Sequence, residues 1–260
     1  MLLHPFALCA QVWSPVMPAL QQHHKVYALS IPGHHGSDPL PANFEHSIER
    51  GVDVLEQKLD ALGVSRAHIV GNSLGGWLAI ELARRGRALS VVALAPGGGW
   101  EVGSREHRRL VTRFKVTSKL LSVGGPLATR LARWAICRSY FLRDAVARPE
   151  RLTAEQARLL IERAWRCEVY DDVVRAMVSQ PVAEPFNELP CPVRLVWGAK
   201  DRLLPLAGYS QRWRRILPGA DWVVLPDVGH VQMYDDPEAV AKTILEFTDG
   251  ARRGEQRLAS

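Results

Sequence analysis

The chain has 260 residues, 47% hydrophobic and 23% charged, with a formal net charge of +6, which suits one α/β unit with a single sizeable core. No Lys/Arg run is interleaved with aromatics and no apolar run is long enough to span a bilayer, so neither nucleic acid nor a membrane is expected as a partner. Cys9, Cys137, Cys167 and Cys191 are scattered without C-x-x-C spacing, which points to buried thiols in a reducing compartment rather than disulfides or zinc ligands.

Met1-Leu2-Leu3-His4-Pro5 lacks the basic and long apolar regions of a signal peptide, and a cytoplasmic location follows. The first strand signal is Val26-Tyr27-Ala28-Leu29, which runs into the turn-rich Pro32–Pro39 segment. Between Phe44 and Leu62 the pattern turns helical: Ile48, Val52, Leu55 and Leu59 share one face. Ser47 with Arg50 is not a capping box, so the start of this helix is set only loosely, whereas Gly63 ends it. Ala67-His68-Ile69-Val70 reads as a buried strand entering Gly71-Asn72-Ser73-Leu74-Gly75-Gly76, with a helix from about Gly76 to Arg85. Ser90–Ala95, Val193–Trp197 and Trp222–Leu225 are further strands, and Ala239–Phe247 is a closing amphipathic helix.

Strand signals stop after Gly99, and Arg-rich amphipathic patterns continue to Pro185. The expected division is therefore a sheet-bearing core at 1–98 and 186–250, a helical cap inserted at 99–185, and a polar, frayed tail at 251–260. Trp100, Trp134, Trp165 and Tyr170 are candidates to shape an apolar pocket or to pack the core. Arg105, Arg108, Arg109, Arg163 and Arg166 read as solvated helix faces that could also steer an anionic substrate.

Gly71-Asn72-Ser73-Leu74-Gly75 fits G-x-S-x-G between a strand and a helix, the setting in which a sharp turn projects a serine hydroxyl above a helix N-terminus. Small residues two before and two after the serine let the backbone pass close to itself. Together with Trp197-Gly198-Ala199-Lys200-Asp201-Arg202-Leu203-Leu204-Pro205 and Val228-Gly229-His230, this segment resembles the elbow, acid loop and histidine loop of the α/β-hydrolase superfamily. The resemblance covers nearly all of the chain except the cap.

It implies a mainly parallel sheet flanked by helices and a triad of Ser73 as nucleophile, His230 as general base and Asp201 as the acid behind it. Of the nine histidines His230 alone follows both Ser73 and Asp201. Asp227 is too near His230 in sequence for the acid role, and Asp235 and Asp236 are expected to serve the start of the last helix. His34, His35 and His68 precede the nucleophile and do not suit the base role.

The resemblance also places oxyanion-hole amides on Leu74 and Phe6. Relatives carry His-Gly-aromatic where this chain has His4-Pro5-Phe6, and Pro5 forbids the positive φ that glycine allows. His4 is expected to brace this loop. Only Met1, Leu2 and Leu3 precede it, so the N-terminal edge strands are expected to be shortened or missing, or the start to be internal to a longer protein. An exposed sheet edge would favour a homodimer.

The implied activity is hydrolysis of a small-molecule carboxylic ester or thioester through a Ser73 acyl-enzyme, with no cofactor and no metal. A serine nucleophile argues against epoxide opening and halide displacement. Asn72 beside it is shared with hydrolases of carbon–carbon bonds in β-diketone-like ring-fission products, and with generic esterases. A third reading, from another class, is a small-molecule receptor with slow turnover.

Overall fold

The computed structural model describes residues 1–41, 43–179 and 183–258. Strand and helix alternate at first: β1 (Leu2–Leu3), α1 (Met17–Gln21), β2 (Ala28–Leu29), α2 (Ile48–Ala61), β3 (Ala67–Asn72), α3 (Leu74–Arg84) and β4 (Ala88–Leu94). Helices α4 (Arg105–Leu131), α5 (Ala135–Phe141), α6 (Ala154–Trp165) and α7 (Tyr170–Ser179) follow, with no strand among the described residues between them. The order is completed by β5 (Val193–Gly198), α8 (Leu206–Ile216), β6 (Asp221–Leu225), α9 (Gln232–Asp235) and α10 (Pro237–Leu258).

The six strands form one open, wholly parallel sheet in the order β2-β1-β3-β4-β5-β6. Helices cover both faces, which is why β3, β4 and β5 read as continuous apolar runs rather than alternating ones. Successive side chains point to opposite faces. Leu3, Ile69, Val91 and Leu195 pack with Leu55, Leu78 and Trp213 on one face. Leu2, Val70, Val92 and Val196 pack with Leu20, Val240 and Ile244 on the other. Each large side chain buried this way contributes about 1.5–3 kcal/mol.

Several boundaries differ from the sequence reading. Leu2–Leu3 is itself a strand, held on one side by Leu2 N–H donating to Tyr27 O at 2.8 Å and on the other by Val70 N–H donating to Met1 O at 2.9 Å. The strand expected over Val26–Leu29 shrinks to Ala28–Leu29 and forms the sheet edge. Helix α2 has a defined start after all: the Ser47 hydroxyl accepts from Arg50 N–H at 3.2 Å. Helix α10 runs through Leu258. Residues 251–258 of the segment read as frayed therefore continue the helix, in keeping with their Ala, Arg, Glu and Gln content, and residues 259–260 lie outside the described residues.

The inserted helices pack against one another, α4 against α5, α6 and α7. Trp165 lies against Gly125 of α4, where any Cβ would come within 2.7 Å of its own Cβ, and its indole N–H donates to Thr129 Oγ1 at 3.0 Å. No helix among the described residues is long and apolar enough to cross a membrane.

Candidate active site

Ser73 sits between β3 and α3 with φ 55° and ψ −115°, a left-handed conformation that a non-glycine residue keeps only when its surroundings enforce it. They do so through Ser73 N–H donating to Leu94 O at 2.9 Å, while Ser73 O accepts from Gly97 N–H at 2.9 Å and Trp77 N–H at 3.1 Å. The two flanking glycines are needed for different contacts. A Cβ on Gly71 would collide with the Gly75 and Gly76 backbone, as the spacing predicts. A Cβ on Gly75 would instead lie under 3.0 Å from Leu3 O and 2.7 Å from His4 O, so this glycine admits the segment leaving β1.

That segment carries His4-Pro5-Phe6. Leu8 N–H donates to Pro5 O at 3.2 Å, closing a turn whose left-handed residue is Ala7, φ 62°. The positive φ that Pro5 cannot adopt is thus taken two residues later. His4 is fully buried and its Nε2 accepts from Ile31 N–H at 2.8 Å, so Nδ1 carries the proton and donates to Pro5 O at 2.8 Å. Burial and the neighbouring His34 hold the His4 imidazole well below its ordinary range, neutral as this pairing requires. Among the described residues neither the Phe6 nor the Leu74 amide donates to a protein acceptor. Both residues line a cavity together with Ser73.

Asp201 follows β5 and is buried. One carboxylate oxygen accepts from Leu203 N–H at 2.9 Å and Leu204 N–H at 2.8 Å, and the other accepts from His230 Nδ1 at 2.8 Å. An ionised carboxylate only accepts, so the proton on that bond belongs to Nδ1 and Nε2 presents a lone pair. Nε2 is buried with no partner among the described residues, and His230 and Ser73 line one cavity. The other acids are engaged elsewhere. Asp227 pairs with Lys200 at 2.6 Å on the surface, and Asp236 accepts from Ala239 N–H at 2.9 Å at the start of α10.

Two residues position the histidine loop in ways the sequence reading did not find. Asn72 Nδ2 donates to Leu94 O at 2.9 Å and to His230 O at 3.1 Å, tying the loop to the sheet beneath it. Asp235 does not serve the last helix. Its carboxylate accepts from Gly229 N–H and Ala147 N–H, both at 2.8 Å, and from Arg148 N–H at 3.1 Å. It staples the end of the α5 region to the residue beside His230, and burial raises its carboxyl above the ordinary range.

Ser73 stands where two cavities meet, both walled by Phe6, Phe114 and Leu203. The inner one is apolar, with Ile48, Trp77, Trp100, Leu110 and Met177. The outer one is lined by the buried Tyr170 and His230 and also by the exposed Val116, Leu120, Tyr140 and Phe141. Of the four aromatics considered from sequence, Trp100 and Tyr170 thus line these spaces, Trp165 packs on α4, and Trp134 is exposed.

A protein of Mycobacterium tuberculosis (strain ATCC 25618 / H37Rv) named epoxide hydrolase EphH is 33% identical over 198 residues, 76% of this chain and 92% of its own length. A Shigella flexneri protein named putative carbamate hydrolase RutD is 29% identical over 236 residues, 90% of this chain and 84% of its own. Among solved structures, a thermophilic esterase from Thermogutta terrifontis superposes with a TM-score of 0.73 at 21% identity, covering 96% of this chain and 89% of that one, a likeness of fold. The alpha/beta hydrolase family matches residues 1–243. With its parallel sheet and a serine held in a strained strand-to-helix turn, the chain belongs to the alpha/beta hydrolase family.

Proposed function

We propose that this hydrolase cleaves carboxylic esters or thioesters of small molecules, with Ser73 as nucleophile, His230 as general base and Asp201 holding the imidazole. The observation that carries the reading is the buried, unpartnered His230 Nε2 on the cavity shared with Ser73, its tautomer fixed by the 2.8 Å bond from Nδ1 to Asp201. A lone pair so placed takes the serine proton as the hydroxyl oxygen attacks a carbonyl carbon. The carbonyl oxygen becomes an oxyanion, received by the uncommitted Leu74 and Phe6 amides. His230 then gives the proton to the leaving alcohol or thiol. Water, deprotonated by the same nitrogen, releases the acid and restores the serine.

The epoxide opening in one relative's name is not carried over. A serine oxygen attacking an epoxide carbon would leave an ether, which no carbonyl chemistry can hydrolyse. Carbon–carbon cleavage gains no specific support either, because the Asn72 amide nitrogen is committed to two carbonyl oxygens.

The test is a panel of p-nitrophenyl esters of increasing acyl length, an acyl thioester, a carbamate and one ring-fission diketone. Ser73→Ala serves as blank and fluorophosphonate labelling as active-site count. Turnover of esters that is abolished in Ser73→Ala supports the proposal. Labelling at Ser73 without steady turnover points to the receptor reading, and an equally active Ser73→Ala refutes the nucleophile.

A further inference from the structure

We infer that the outer face of α4 and α5 is a docking surface for an anionic lipid layer, which it meets with the mouth of the Ser73 cavity facing the lipid. Three independent observations converge on this face.

The first is an unpartnered apolar stripe. Val116, Leu120, Val123 and Leu127 recur at the spacing that places residues on one side of a helix, and all are exposed, Val123 by 87%. On α5, Ile136 is 80% exposed, with Trp134 and Tyr140 also open to solvent. The opposite side of α4 is the one that packs: Leu110, Val111 and Gly125 are buried. At 27 residues α4 is about 40 Å long, enough to lie along a surface.

The second is charge. Between Arg105 and Arg143 ten residues are Lys or Arg and one, Glu106, is acidic, so this short stretch carries more than the whole surplus of the chain. Lys119 and Arg130 fall among the exposed apolar residues of α4, and Arg133 lies over the Trp134 ring at 3.8 Å. Apolar residues ringed by cations match the boundary between acyl chains and anionic headgroups. The same density of positive charge disfavours a second copy of the chain, which would bring like charges face to face.

The third is continuity with the cavity. Val116, Leu120, Tyr140 and Phe141 are exposed and also line the space that holds Ser73 and His230. A layer resting on the stripe would close over that opening, so a substrate could pass from lipid to cavity without crossing water. This delivery role rests on the ester-hydrolase reading; the docking itself does not.

The experiment is co-sedimentation with vesicles of phosphatidylcholine alone and of phosphatidylcholine with about a third phosphatidylglycerol, at low and high salt. Val123→Glu/Ile136→Glu is compared with the parent; neither residue lines the two cavities that meet at Ser73. The parent is expected to bind anionic vesicles at least tenfold better than neutral ones and to be released by about 0.5 M salt, as screening requires. The double variant is expected to lose at least tenfold in binding while keeping its thermal midpoint and its rate on a soluble acetyl ester. Absence of vesicle binding by the parent, or equal binding by the folded double variant, overturns the inference. So does a parent dimer in sedimentation velocity that the same variant dissociates, since the face would then belong to a second copy. Vesicle binding with no esterase activity would leave docking standing and refute only the catalytic proposal.

Discussion

Gly75→Ala tests whether the strand-exit segment is what aims the Phe6 amide. The added methyl would stand 2.7 Å from His4 O and nearer still to Leu3 O, whereas ordinary contact begins at 3.4 Å. Restoring contact to His4 O alone needs a shift of about 0.7 Å, and Leu3 O brings the requirement to about 1 Å. Both oxygens belong to the backbone, so no rotamer change relieves the clash. A 1 Å displacement of a positioning element costs about 100-fold, and complete loss of one oxyanion donor costs about 2.7–4 kcal/mol, or roughly 100- to 1,000-fold. The expected result is a fall of that size in kcat on a p-nitrophenyl ester, with KM within about threefold. Position 75 is in the first turn of α3, where alanine has the better helix propensity by up to about 1 kcal/mol, so circular dichroism should still report a folded chain. Gly124→Ala, where a Cβ meets nothing within 4 Å, is the matched control and should keep its activity. A folded Gly75→Ala enzyme with kcat within threefold of the parent would refute the reasoning.

Two further outcomes follow from buried polar groups. His34 is 4% exposed and burial lowers its imidazole to about 4, below the 6.5 of a free histidine. A depressed folded value means stability that is full above pH 6.5 and lost as pH falls through about 4, worth about 3 kcal/mol at most. Urea midpoints between pH 7 and 4.5 should fall more steeply for the parent than for His34→Gln; equal slopes would count against the burial argument. Asp235→Ala leaves three backbone N–H groups without their acceptor and should cost about 2–5 kcal/mol by thermal denaturation. Asp235→Asn keeps an accepting oxygen and should recover more than half of that loss; no recovery would deny the staple.

The strands β3, β4, β5 and β6 were legible because each carries a short, mainly apolar run with two β-branched residues, bounded by turn or loop chemistry. Strand β1 was not, since two leucines have no period, and they pair only because β2 and β3 stand ready on either side. Helix α8 carried a usable signal that went unread: Tyr209, Trp213 and Ile216 fall at i, i+4 and i+7. At the site, the residue types of Ser73, Asp201 and His230 could be read from local motifs, and the structure brings two of them into a hydrogen bond and two onto one cavity. The roles of Asn72 and Asp235 were hidden because their partners are main-chain groups 22 to 158 residues away for Asn72 and up to 88 for Asp235. Backbone donors and acceptors leave no mark on sequence. The expectation of no membrane partner rested on the lack of an apolar run long enough to span a bilayer, a criterion that does not address a peripheral face.

One contact sets a limit on how this molecule can be recombined. A Cβ on Gly198 would come within 2.8 Å of Val228 C, and one on Gly229 within 2.6 Å of Ala147 N. Three stretches of main chain are therefore stacked bare, with no side chain between them to be trimmed or enlarged in compensation. Residues 145–148 lie at the bottom of that stack, and although they fall in the chain between β4 and β5, they are masonry of the histidine's seat. A chimera that exchanges the helical insertion must keep residues 145–148 of this chain, with foreign sequence joined on either side of them.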